Sequence, residues 1–222
     1  MKITIIGLGG VGSIVANSIS RYLYHLESFS EITLIDGDAY ELKNNERQLF
    51  SGYGNKATIK EKELSRMFGS KIKFMSYPVF INNTNINLIE SGDIIFLSVD
   101  NHKTRKTVND FCKTLKNVIL ISGGNEYTDG NVQIYVRKEG KDITPGIDQF
   151  HPEISNPADK SPEELSCEEL AQTSSPQLFF MNQMVASYMC AAFYNCINNR
   201  YHSEIYIDIE AMNSDSKIRK VI

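Results

Sequence analysis

The strongest constraint on this chain lies in its first twelve residues, where the branched run Ile3-Thr4-Ile5-Ile6 passes directly into Gly7-Leu8-Gly9-Gly10-Val11-Gly12. A short apolar run closed by glycine suits a strand buried on both faces, and residues 11–25 carry helical spacing. Strand-like runs recur at 32–35, 71–75, 93–99 and 118–121, and helical spacing at 56–68, 83–89 and 101–115. Strands alternating with helices build βαβ units. The pattern therefore predicts an α/β fold: a Rossmann-like, doubly wound, mainly parallel sheet with helices on both faces.

After Gly123-Gly124 the character changes. Residues 132–137 read as a strand, and 140–175, which holds Pro145, Pro152, Pro157 and Pro162, reads as a long crossover loop. Ser174 or Ser175 ahead of Pro176 predicts a helix start with proline at the first helical position, running to about residue 197, followed by a last strand at 203–209. These late strands predict an antiparallel C-terminal extension. With no internal repeat and no linker-like composition, residues 1–222 read as a single domain. The stretch 171–199 has no Asp, Glu, Lys or Arg, but Gln177, Asn182, Gln183, Ser187 and Asn195 interrupt it. Amides are expensive against lipid, so a buried core helix is expected there and no membrane association.

Composition excludes further classes. The 23 Lys and Arg against 27 Asp and Glu give a net charge of −4, so no general basic excess exists to neutralise a phosphate backbone, and nucleic acid is not an expected partner. Residue 6 runs into glycines instead of an apolar leader, which predicts a cytoplasmic protein. The four cysteines, Cys112, Cys167, Cys190 and Cys196, form no C-x-x-C pair. Reduced thiols without structural zinc are expected.

The spacing Gly7-x-Gly9-x-x-Gly12 after a strand and before a helix permits a tight turn and leaves helix N-terminal N–H groups free for phosphate. Gly10 adds to the close approach. Asp36, at the end of the next strand and 24 residues beyond Gly12, is placed to bind ribose hydroxyls. These features leave NAD, FAD and ATP open. Asp38, Asn44, Arg47 and Gln48 follow as a cluster of donors and acceptors that suits ATP and that a dehydrogenase does not need.

Taken in order, Gly7-x-Gly9-Gly10-x-Gly12, Asp36-x-Asp38, Asn44-x-x-Arg47-Gln48, Gly54-x-Lys56 and Ser98-Val99-Asp100-Asn101 with Arg105 resemble the ThiF/MoeB family, the adenylation fold shared with ubiquitin-activating enzymes. Arg47-Gln48-Leu49-Phe50 and Ser166-Cys167-Glu168-Glu169-Leu170 also resemble the short ThiF-type proteins of PRTRC operons. The resemblance implies ATP with Mg²⁺ and a small ubiquitin-like or sulfur-carrier protein, whose C-terminal glycine is joined to AMP with loss of pyrophosphate. It places Asp36 on the ribose, Asn44, Arg47 and Lys56 on the phosphates, and Asp100 at the metal. Lys60 is a rival to Lys56, because the spacing from Arg47 is shorter than the family's. Fixed cations and a metal are what the attack of a carboxylate on a phosphate requires, since two anions must meet.

Some members of the family pass the acyl group to a cysteine in the crossover loop, and Cys167 stands in the comparable place. Glu163, Glu164, Glu168 and Glu169 surround it in sequence and oppose thiolate formation. Cys112, Cys190 and Cys196 fall on apolar helices and read as core. The chain starts at its first strand, without the preceding helix that supplies a trans-acting arginine in MoeB-like dimers. Tyr22, Tyr24, Phe179, Phe180 and Tyr188 exceed what one sheet face needs to bury, so a homodimer is expected.

Overall fold

Strand β1 (Lys2–Ile6) is buried beyond its first residue, with the Thr4 hydroxyl donating to Asp93, and it lies inside the sheet. The computed structural model, which describes residues 1–26, 29–41, 48, 50–164 and 178–221, pairs β1 in parallel with β2 (Ser30–Ile35) on one side and β6 (Ile94–Leu97) on the other. Strand β5 (Ile72–Tyr77) continues the parallel sheet beyond β2, and β7 (Val118–Asn125) beyond β6. From β7 outward the pairing turns antiparallel, through β8 (Asp129–Lys138), β10 (Glu204–Asp208) and β11 (Asn213–Lys217), with the short β9 (Lys141–Asp142) beside β8. The order β11-β10-β8-β7-β6-β1-β2-β5 is the expected Rossmann-like arrangement with its antiparallel extension.

Alternation along the strands divides the core in two. Ile3, Ile5, Phe96 and Ile134 face α1 (Gly10–Tyr24), α2 (Lys56–Phe68) and the long C-terminal helix α5 (Phe179–Ile197). Ile6, Ile95, Leu97 and Tyr135 face the other way, toward α3 (His102–Cys112) and the short α4 (Pro152–Ser155). Burial on both faces is why these strands read as continuous apolar runs. No helix among the described residues is long and apolar enough to cross a membrane.

Four local expectations need correction. Residues 83–89 make a single 3₁₀ turn, Ile86–Leu88, instead of a helix. Asn82 Oδ1 accepts from Thr84 N and Asn85 Oδ1 from Asn82 N, both at 2.8 Å, and these side chains compete with helical pairing. Strand β7 runs through Gly123 and Gly124, because Met189 and the Arg105 guanidinium occupy the spaces their side chains would need. The last helix starts at Phe179, with the Leu178 carbonyl accepting from Met181 N and Asn182 N, so its first turn closes beyond Pro176. Strand β11 follows β10 where the pattern predicts no further strand, since Asn-Ser-Asp-Ser-Lys has no apolar alternation, and at the sheet edge it needs none.

Candidate active site

Chain order places a topological switch between β1 and β6: the strand after β1 lies to one side, and β6 returns to the other. Ligands of open α/β sheets bind at the carboxyl ends of such strands. Gly7 leaves β1 there with φ +83°, a conformation that side chains resist. A Cβ on Gly12 would stand 1.9 Å from the Gly7 carbonyl and 2.5 Å from Ser98 Oγ, while Ser98 Oγ itself donates to Gly7 O at 2.8 Å. The glycine turn is thereby locked to the end of β6. Gly9 caps α1 and has no side chain to accept from its first N–H groups, which leaves a place for an anion.

Asp36 faces this turn. Its Oδ2 accepts from Leu8 N at 2.5 Å and its Oδ1 from Asp38 N at 2.8 Å, with only 8% of the residue exposed. Burial pushes the carboxyl up to about 6, against the pull of the Lys56 charge and the two N–H groups. Asn55, the N-cap of α2, accepts from Thr58 N and donates to the carbonyls of Asp36 and Asp38, fixing the loop between β2 and the hairpin of β3 (Ala39–Tyr40) and β4 (Gly54–Asn55). Lys56 follows directly, 6% exposed, with Nζ 3.2 Å from Asp38 Oδ2.

The two lysines stand in different surroundings. Lys60 Nζ is held by Glu63 Oε2 at 2.6 Å and stands 4.5 Å above the Phe50 ring, a structural ion pair; Lys56 is the lysine beside the Asp36 and Asp38 carboxylates. Gln48 is also buried against the turn, and its Oε1 has no hydrogen-bond partner among the described residues. Asn44, Arg47 and Cys167 lie outside the described residues.

Asp100 is exposed just beyond β6, and Asn101 caps α3 by accepting from Thr104 N at 2.8 Å. The described residues gather no cluster of three or more His, Cys, Asp or Glu able to hold a metal by themselves. Magnesium bound through one carboxylate and substrate phosphates does not require such a cluster, so the exposed Asp100 at the crevice fits that role. The turn, Asp36, Lys56 and the Ser98–Asp100 end of β6 are thus brought to one crevice.

A family model described as the ThiF family matches residues 1–221. The chain belongs to the ThiF family. Among relatives, it is 31% identical over 143 residues to the Adenylyltransferase and sulfurtransferase MOCS3 of Dictyostelium discoideum, covering 63% of this chain and 32% of that protein. The tRNA threonylcarbamoyladenosine dehydratase of Haemophilus influenzae is 31% identical over 137 residues, covering 57% of this chain and 49% of that protein. This ThiF chain therefore spans from a third to a half of these curated relatives. Among solved structures, E. coli MccB with ATP shares its fold at a TM-score of 0.74, with 22% identity over 100% of this chain and 64% of MccB.

One feature of this ThiF chain had no local signal in the sequence. Asp159, in the loop after α4, accepts from the His102 and Lys103 N–H groups at the start of α3, at 2.5 and 3.1 Å, and Lys103 pairs with Glu164. The loop is pinned beside Asp100 from 57 residues away. Asp159→Ala removes a helix-capping carboxylate, and a loss of about 1 kcal/mol in urea unfolding is expected. Faster proteolysis within residues 140–164 should accompany it, and unchanged cleavage there would contradict the pinning.

Proposed function

We propose that this chain is an adenylyltransferase that uses ATP to activate the C-terminal glycine carboxylate of a ubiquitin-like or sulfur-carrier protein. The observation that carries this reading is the buried Asp36 carboxylate at the switch point, bonded to the glycine turn and flanked by Lys56. An acceptor for ribose, free N–H groups for phosphate and a buried cation stand together there. The adenylyltransferase named among the relatives and the ATP in the MccB structure support the same reading. Residues 1–222 act in it as one adenylation domain, with a crossover loop at about 140–175.

In the reaction, a carboxylate oxygen forms a bond to the α-phosphorus of ATP while the bond from that phosphorus to the pyrophosphate oxygen breaks, and pyrophosphate leaves. Asp36 holds the ribose; the glycine turn, Asn44, Arg47, Gln48 and Lys56 hold the phosphates and offset the meeting of two anions. Asp100 would hold Mg²⁺, whose charge offsets that of the phosphates when it is bound. Cys167 is the residue for any later thioester, formed by thiol attack on the acyl carbon with release of AMP.

A homodimer fits the outer faces of α1 and α5, where Tyr22, Phe180 and Tyr194 are exposed and α5 carries no charge. A cytoplasmic location supplies the ATP. The deciding experiment is calorimetric titration with ATP and Mg²⁺, with NAD⁺ and with NADP⁺, then with ATP and Mg²⁺ on Asp100→Ala. Binding of ATP alone, weakened about tenfold or more by the substitution, is expected. Binding of a nicotinamide cofactor instead would sink the proposal, and binding of nothing would leave a silent carrier-binding scaffold.

A further inference from the structure

Asn182 lies in the first turn of α5 among Met181, Val185 and Ala186, all of them buried, and is itself 0% exposed. Neither its Nδ2 nor its Oδ1 has a hydrogen-bond partner among the described residues. The amide rests against Gly10: a Cβ there would stand 2.2 Å from Nδ2, 2.7 Å from Cγ and 3.1 Å from Oδ1. On the neighbouring glycine, the position of a Cβ on Gly9 lies 3.9 Å from Gln48 Nε2, and Gln48 Oε1 is also buried without a hydrogen-bond partner among the described residues. Two buried side-chain amides therefore flank one peptide of the glycine turn.

A buried amide without partners is costly, and leucine, branched at Cγ in the same way though somewhat larger, carries no such cost. Its presence is accounted for by a state in which it is paired. The Gly9 carbonyl accepts from Ser13 N at 3.2 Å but keeps a second lone pair, and Gly10 N–H is one of the donors at the start of α1, so a small shift of the Gly9–Gly10 peptide on phosphate binding would bring one of its polar groups to the amide. An amide offers both a donor and an acceptor, so it can receive either end of that peptide.

We propose that Asn182 is a positioning residue for the phosphate-binding turn, pairing with the Gly9–Gly10 backbone when nucleotide is bound. The proposal rests on nucleotide binding at this turn, and it adds to the nucleotide site a residue from the far end of the chain. The amide also explains why position 10 must be glycine, since it fills the space of a side chain.

The test compares wild type with Asn182→Leu in two measurements: thermal unfolding of the free protein and calorimetric titration with ATP and Mg²⁺. The leucine variant is expected to melt at the wild-type temperature or higher, yet to bind ATP at least tenfold more weakly. A plain packing role predicts the reverse, a lower melting temperature with unchanged affinity, and that result overturns the proposal. Should leucine prevent folding, Asn182→Ala removes the same amide with less bulk, and affinity within threefold of wild type refutes the idea. Failure of the wild type itself to bind ATP overturns the adenylation reading and this proposal together, whereas tight wild-type binding with an unaffected variant removes this proposal alone.

Discussion

Replacing Arg105 with methionine is expected to lower the melting temperature by roughly 6–12 °C, at about 3 kcal/mol of lost stability and 2–4 °C per kcal/mol for a chain of this size. The guanidinium is 6% exposed and donates to Ser122 Oγ at 2.8 Å, Val99 O at 2.8 Å and Gly123 O at 2.9 Å. Methionine fills most of the volume but takes away the donors that Arg105 gives to Ser122 Oγ, Val99 O and Gly123 O, and leaving buried acceptors short of a donor costs more than the hydrogen bonds themselves are worth. Burial pushes the Arg105 pKa down to about 10, opposed by Asp100, Asp159 and Glu153, so the group stays charged at neutral pH. Arg105 also ties the Val99 carbonyl, next to Asp100, to β7, so the variant should bind Mg²⁺-ATP more weakly even below its melting point. Thermal unfolding by circular dichroism checks the first effect. A variant melting within 2 °C of wild type would show that the tether is dispensable.

Arg105 illustrates what the sequence can and cannot express. As a member of a motif with Ser98-Val99-Asp100-Asn101 it helps mark the family, but nothing in that spacing says that it points inward to hold two strand ends together. The parallel strands were legible because burial on both faces removes polar residues from them, and the glycine turn because backbone collision at Gly12 leaves no other choice. Asn101 and Asn55 are readable in kind, since both stand directly before a helix and asparagine favours that place. Asp159 and Asn182 are not. Their partners lie 57 and 172 residues away along the chain, at His102 and Gly10, and no local periodicity encodes a contact of that range. Strand β11 failed for another reason: at an edge, pairing is supplied by the backbone and the side chains need carry no pattern.

Lys56→Met is expected to weaken ATP binding about 10- to 100-fold at pH 8, the loss of one hydrogen-bonded charge at about 1.5–3 kcal/mol. The same substitution has a second signature. Asp36, raised by burial to about 6, accepts from a ribose hydroxyl more strongly as the carboxylate than as the acid, so wild-type affinity should fall as pH drops through 6. The effect on folding runs the other way. A carboxyl whose folded pKa lies above its unfolded value of 3.8 binds its proton more tightly in the fold, so Asp36 favours the folded state increasingly as pH falls from above 6 toward 4. The Lys56 charge is among the forces that hold the Asp36 pKa down, and without it the edge in ATP affinity should move upward, toward neutral pH. Lys60→Met is the control. It breaks the pair with Glu63 and the contact with Phe50, so it should cost stability while leaving both the affinity at pH 8 and the position of the edge near wild type. Calorimetry from pH 5.5 to 8 on the three proteins separates the cases. If the Lys60 variant loses ATP and the Lys56 variant does not, the phosphate-binding lysine has been assigned to the wrong turn of α2; if the edge stays at 6 in Lys56→Met, the lysine charge does not govern Asp36.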